Sequence, residues 1–278
     1  MCSTSIIYLY YLIILIPKFG LLTNPSIEIV KEIKNIHKFG FDYVEIGLEA
    51  PEGKPEIIMK KRRKIIELLD KFKSEPIGHT APWVDLGSDY KSIRQAWISE
   101  SKKQLWIAKQ LGFTFVNFHG NVNGMFFGTK RKIILDNWVE SLQELVTYGI
   151  KLNVGIMIEN LPTSRGIHKL TEFQYIVNRV PGLYVHLDIP HAFITGGMPT
   201  ILSYIKTFKN KIVHIHWHDN HGKFDEHLPL GKGLIDHKKA IEALKEINYN
   251  KTITLEVFTN KKDAKLSANN LRELWKRV

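Results

Sequence analysis

Glu159, Asp188, His216 and Glu256 follow one another at intervals of 28 to 40 residues, and each closes an apolar run. The runs are Asn153 to Glu159, Tyr184 to Asp188, Ile212 to His216 and Thr252 to Glu256. Three carboxylates and one imidazole make a mixed oxygen and nitrogen donor set of the kind that holds Mn²⁺, Mg²⁺, Co²⁺ or Zn²⁺. A single acidic residue at a strand end is ordinarily a cap or an ion-pair partner. Four such residues gathered together would repel one another without a cation. A divalent metal polarises a carbonyl and its neighbouring hydroxyl, which acidifies the adjacent C–H, and carboxylates accept and return the proton. Isomerisation needs one such proton shuttle, and epimerisation needs two opposed ones.

The elements that would bring these residues together follow from their spacing. Glu45, His79 and His119 end three earlier apolar runs at similar intervals. That interval is about one strand, one helix and two loops, and parallel strands closed into a barrel point all their C-terminal ends to one face. Apolar residues at three- and four-residue spacing predict helices over Pro25 to Lys38, Pro55 to Phe72, Asp89 to Leu111, Lys130 to Tyr148, Lys169 to Asn178, Pro199 to Lys209, Asp236 to Ile247 and Asp263 to Lys276. No Gly-rich dinucleotide loop or P-loop follows a strand, which removes the commonest reason for an open sheet. The expected fold is an α/β (β/α)8 TIM barrel, one domain over residues 1–278. Its first strand is expected within the irregular apolar N-terminus, residues 1–20, where Ile6 to Ile16 is unbroken. That run is too short to span a bilayer and lacks the basic start of a signal peptide, so no stable membrane span is expected. Cys2 is the only cysteine, which excludes an intrachain disulfide and a thiolate metal site and suggests a reducing cytoplasm.

The segment His216-Trp217-His218-Asp219-Asn220-His221-Gly222-Lys223-Phe224-Asp225-Glu226-His227-Leu228-Pro229-Leu230-Gly231-Lys232-Gly233 is the most specific in the chain. Together with the strand ends already described, it resembles the xylose-isomerase-like TIM barrel superfamily, and within it the sugar phosphate isomerase/epimerase group, to which endonuclease IV is related. The likeness runs from about Phe41 to Phe258. It implies one divalent metal on Glu159, Asp188, His216 and Glu256, with Glu159 and Glu256 as the acid/base pair and His191 against a substrate oxygen. Arg165 and Lys223 stand as further substrate-binding residues. Endonuclease IV carries up to three Zn²⁺, and the positions matching its additional ligands are His79, His119, His191, Asp225 and His227. The run from His216 to Gly222 departs from that enzyme's pattern and fits the isomerases better.

Two readings therefore compete: a metal-dependent isomerase or epimerase of a small sugar or sugar phosphate, and a zinc-dependent endonuclease at abasic DNA sites. The formal charge of +11 invites nucleic acid, yet its densest run, Lys60 to Lys64, falls on an outer helix. The loops Leu48 to Glu56 and Val84 to Asp89 are acidic and would repel a phosphate backbone, although Lys130, Arg131, Arg165 and Lys223 flank the mouth. The sugar reading is preferred, and a homo-oligomer is compatible with it. His186 and His214 are expected to face the helices, and Glu45 to end its strand, with orienting a neighbour or binding substrate as the alternatives to a structural role. Trp83, Trp217, Phe126 and Phe127 are expected to serve in packing rather than in stacking on substrate.

Overall fold

Eight parallel strands close on themselves in sequence order, with β8 returning to pair with β1. The computed structural model describes residues 16–122 and 131–278. The strands are β1 (Lys18–Leu22), β2 (Tyr43–Leu48), β3 (Ile77–Thr80), β4 (Phe115–His119), β5 (Gly155–Glu159), β6 (Leu183–Asp188), β7 (Ile212–Trp217) and β8 (Thr252–Leu255). The helices between and after them are α1 (Ile29–Lys38), α2 (Pro55–Leu69), α3 (Lys91–Leu111), α4 (Arg131–Leu152), α5 (Leu170–Arg179), α6 (Ile189–Phe208), α7 (His237–Glu246) and α8 (Lys261–Arg277). This is the α/β barrel that the spacing of the strand-end residues implies.

Most strand residues are buried because one face meets the helices and the other fills the barrel. Along β2, Val44 and Ile46 join the core shared with the helices, whereas Tyr43 joins Ile77, Met157 and Val213 in a separate apolar plug. The Tyr43 ring lies across Gly20 of β1, where a Cβ would run into the ring, and its hydroxyl meets Thr254 Oγ1 at 2.7 Å. This plug seals the barrel below the polar residues, so the ligand layer has an apolar floor.

Two elements differ from the sequence expectation in ways that matter for the site. The first strand is Lys18–Leu22, after the run Ile6 to Ile16 rather than within it; most of that run, with Phe126, Phe127 and Lys130, lies outside the described residues. Helix α6 starts at Ile189, ten residues before Pro199, with its backbone broken at Gly196 and Gly197. Asp188 caps it by accepting from the His191 amide at 2.6 Å, and Pro190 occupies the first turn. The early start carries His191 directly over the mouth.

Candidate metal centre

Glu159 ends β5, Asp188 ends β6, His216 lies next to the end of β7, and Glu256 follows β8. Pairing aligns His119 with Glu159 and Asp188 with His216, whereas Glu159 pairs with His186 and His216 with Thr254, so Asp188 and Glu256 each stand two residues further along their strands than these partners, on the same side-chain face. His216 Nδ1 stands 3.2 Å from Glu256 Oε1 and 3.9 Å from Asp188 Oδ2. His191 Nδ1 stands 3.4 Å from Glu159 Oε1 and 3.5 Å from Asp188 Oδ1. The structure thus brings together residues separated by nearly one hundred positions in sequence.

The protonation pattern of His216 carries the case for a cation. Its Nε2 faces Glu45 Oε2 at 3.0 Å, and a carboxylate accepts only, so Nε2 carries the hydrogen. Nδ1 faces two carboxylates, Glu256 and Asp188; in the metal-free protein a second proton there answers them, and a divalent metal would take that proton's place. Neither His216 Nδ1 nor Asp188 Oδ2 has a hydrogen-bond partner among the described residues, and both are buried. Lone pairs converging from nitrogen and oxygen in a buried site fit a divalent metal.

Glu45 lies deeper than a strand-end residue and takes up the neighbour-orienting alternative. It is the third residue of β2, fully buried below the mouth, and its Oε2 accepts from both His216 and His214, each at 3.0 Å. His214 Nδ1 in turn lies 2.9 Å from Thr252 Oγ1. The expectation that His186 and His214 face the helices is wrong. They precede Asp188 and His216 by two residues, and alternation with period two puts residues i and i+2 on the same face, here the barrel interior. Their rings pack 4.6 Å apart, and His186 lies 3.9 Å from the His216 ring and 3.4 Å from Glu159 Oε2.

Two asparagines complete the support and were not singled out in the sequence. Asn117 Nδ2 donates to Glu159 Oε2 at 2.6 Å. Asn160 bridges β5 and β6, donating to the Asp188 carbonyl and accepting from the Asp188 amide, both at 2.9 Å, while its own carbonyl accepts from His191 Nδ1. Asn117 interrupts the apolar run Phe115-Val116-Asn117-Phe118 two residues before His119, and that inward phase was the available signal.

The additional positions also converge. His79 Nε2 and His119 Nε2 approach Glu159 Oε2 at 3.6 and 3.5 Å. His191 Nε2 and His227 Nε2 each stand 3.1 Å from Asp225 Oδ2. Arg165 and Lys223 are exposed, and neither side chain hydrogen-bonds a ligand residue among the described residues. Arg131 holds Glu172 with two bonds of 2.6 and 2.7 Å and also binds the carbonyls of Ser164 and Gly166, so it fastens a loop. Trp217 is buried and donates to His237 Nδ1 at 3.1 Å, a packing role as expected, whereas Trp83 is exposed.

Electrostatics follow from this crowding. Burial alone would raise the Glu159 carboxyl, but His119, His186, His191 and His79 overcome it and hold it well below the usual carboxylate range. Glu256 is likewise opposed by burial, yet His216 and then His227 and His79 bring it down to about 2. Burial wins at Asp188, which rises to about 6, and at His119, which is pushed down to about 4. Against burial, Glu256 and Glu45 lift His216 well above its ordinary value. A metal entering the metal-free protein must therefore displace the His216 proton at neutral pH and, below about pH 6, an Asp188 proton as well. Affinity is expected to fall as pH falls, by about tenfold per unit for each proton displaced, and to steepen below the Asp188 value. Competition titration with a chromophoric chelator between pH 5 and 8 checks this; a flat profile would contradict it.

The chain belongs to the xylose isomerase-like TIM barrel family, whose model matches residues 33–274. It is 29% identical over 252 residues to the uncharacterized protein MJ1311 of Methanocaldococcus jannaschii, covering 88% of this chain and 84% of that one. It is 25% identical over 203 residues to a probable endonuclease 4 of a Thermotoga species, covering 61% of this chain and 67% of that one. A D-tagatose 3-epimerase-like protein of known structure superposes with a TM-score of 0.81 at 28% identity, covering 94% of this chain and 98% of the other.

Proposed function

We propose that the protein is a divalent-metal-dependent isomerase or epimerase of a small ketose, ketose phosphate or related polyol-like substrate. The observation that carries this reading is the placement of Glu159 and Glu256. They come from β5 and from just beyond β8, nearly opposite positions on an eight-strand ring, with Asp188 and His216 on the strands between. Both carboxyls are held in the ionised form that accepts a proton. A metal on Glu159, Asp188, His216 and Glu256 would polarise the substrate carbonyl. One glutamate then removes the proton from the neighbouring carbon; return from the opposite glutamate inverts that carbon, and return to the adjacent carbon isomerises the sugar. Asn117 orients Glu159 for this transfer.

A cleft of about 570 Å³ opens at the same end of the barrel between the loops after β1 and β8, lined by Asn24, Glu49, Val257, Phe258 and Asn260 among others. That volume falls within the range of small-molecule sites. Phe258 is 62% exposed and stacks on His227 with ring centres 4.0 Å apart, offering an apolar face to the C–H side of a sugar. Lys261, also in the cleft wall, is held by Glu32 at 2.7 Å. Similarity to the D-tagatose 3-epimerase-like structure supports the same substrate class.

A second reading, hydrolysis of DNA at abasic sites, is favoured by the simultaneous assembly of His79 and His119 about Glu159 and of His191 and His227 about Asp225. Such a site would hold up to three Zn²⁺. The two readings separate in one comparison: metal-loaded protein incubated with a panel of ketoses and ketose phosphates, and in parallel with an abasic-site duplex at low salt, where phosphate contacts are strongest. Chelator-sensitive sugar interconversion is expected. Strand cleavage with no interconversion across the panel would replace the first reading by the second.

A further inference from the structure

We propose that Glu49 is a specificity-determining residue of the cleft, and that it selects a ketose carrying an ammonium group over a ketose phosphate. The proposal rests on the sugar reading for its chemistry, since a carbonyl held at the metal centre is what brings the rest of a substrate against this wall.

The charged and capping groups of the cleft wall are already spent, with one exception. Glu32 is fully buried, and its Oε1 takes Lys261 Nζ at 2.7 Å and the Asn24 amide at 3.1 Å. Asn260 caps α8: its Oδ1 accepts from the Asp263 amide at 2.9 Å, and its Nδ2 donates to Asp263 Oδ2 at 2.8 Å. Thr259 Oγ1 donates to the same carboxylate at 2.9 Å. Glu49 is half-buried, and its side chain makes no hydrogen bond or ion pair among the described residues. Lys261 is the one cation among the described residues of the lining, so its pairing with Glu32 leaves the wall with a single uncompensated charge. That charge is negative.

The chain holds this carboxylate in place. Glu49 follows the last residue of β2, and its carbonyl accepts from the Gly53 amide at 2.7 Å. A Cβ at Gly53 would run into the Gly47 carbonyl and the Glu49 amide, so the turn closes too tightly for any other residue. Glu52 Oε2 ties the same turn to α1 and α2 by accepting from the Ile29 amide at 3.2 Å and from Lys61 Nζ at 2.8 Å. A Cβ at Gly47 would stand 3.5 Å from Glu49 Oε1 and 3.6 Å from Thr23 Oγ1, so a carboxylate and a hydroxyl face one small space. Thr23 Oγ1 accepts from the Gly47 amide at 2.9 Å, which leaves its hydrogen for a ligand.

The surroundings of Glu49 favour a cation. Burial pushes its carboxyl above the ordinary value, His79 pulls against that, and Glu256 adds to it. His79 and Glu256 both belong to the crowded rim of the metal centre, so Glu49 borders the ground on which the carbonyl would be held. An ionised group kept partly out of water without a counter-charge is unfavourable, and a ligand that supplies the charge recovers that cost. A substrate hydroxyl can donate to Glu49, yet it leaves the charge in place. An ammonium donates and also neutralises it, and bonds between two ionised partners are the stronger class. A phosphate meets a like charge, with no unpaired cation among the described lining residues to offset it.

The test measures binding by isothermal titration, and turnover, with the metal-loaded full chain and three matched classes of ketohexose. These are the parent sugar, derivatives with an amino group at either terminal carbon, and the corresponding phosphates. The better amino derivative should bind about 10- to 100-fold more tightly than the parent, the size expected of one bond between ionised partners, and the phosphates should bind more weakly than the parent. Glu49→Gln should erase the preference for the amine, and Glu49→Lys should turn it toward phosphate. Circular dichroism monitors folding; if a variant does not fold, the ranking in the unaltered protein decides alone. Equal affinities across the three classes, tighter binding of a phosphate, or an amine preference that survives in folded Glu49→Gln would overturn the role of Glu49. Failure of the sugar reading would look different: no ketose of any class would be interconverted, whatever the order of binding.

Discussion

Glu159→Gln is expected to lower turnover by at least about a thousandfold, within the range that general acid–base groups supply, and to reduce metal occupancy at the same time. The residue belongs to two functions. In the proposed mechanism it would hold the metal from β5, and the oxygen that accepts from Asn117 at 2.6 Å would take the substrate proton. Glutamine keeps the shape but removes the charge that draws His79, His119, His186 and His191 toward position 159. Burying an uncharged amide there leaves those imidazoles without their counter-charge, while the apolar plug of Tyr43, Ile77, Met157 and Val213 lies below and is untouched. The barrel should therefore remain folded by circular dichroism. Full activity with full metal content in the folded variant would remove Glu159 from the mechanism.

Glu45→Gln is expected to weaken metal binding by about 10- to 100-fold, the usual effect of losing a carboxylate behind a ligating histidine. Glu45 touches no substrate in this account and acts by positioning. By accepting from His216 Nε2 at 3.0 Å it fixes the ring with Nδ1 turned to Asp188 and Glu256, and by accepting from His214 it is itself held in place. A glutamine oxygen in the place of Oε2 still meets both rings, but it carries no negative charge to raise the basicity of His216, and the amide nitrogen takes the buried position of Oε1, which has no hydrogen-bond partner among the described residues. Isothermal titration of the chelator-stripped protein measures the effect. A purely structural role would lower the melting temperature and leave the affinity alone. The diagnostic result is weaker binding with little loss of kcat once the metal is saturating.

The convergence of the strand-end residues was legible because a parallel barrel converts a period of about 35 residues into convergence at one rim. Asp188, His216, Glu159 and Glu256 required only that topology. What escaped lay in depth and phase. Glu45 belongs to an apolar strand that continues three residues beyond it to Leu48, so nothing in the run separates a rim carboxylate from one that orients a histidine from below. His186 and His214 share parity with Asp188 and His216, so the period-two rule puts them in the barrel interior and not on the helix side. The start of α6 was hidden because Gly196, Gly197 and Pro199 are strong helix-breaking signals, and they mark a break within the element rather than its beginning. His218 has the right parity, yet only the folded loop shows that its free nitrogen meets Asp225.

The central claim is that Glu159 and Glu256 move a proton on the carbon beside a carbonyl at a metal centre. Proton magnetic resonance of candidate ketoses incubated with metal-loaded protein in deuterated water tests it most directly, since a proton taken by a carboxylate exchanges with solvent. Loss of the proton signal at that carbon as deuterium enters is the expected result, with the exchange abolished in Glu256→Gln and by chelator. A substrate converted at full rate with no deuterium incorporated, or exchange undiminished in Glu256→Gln, would contradict it.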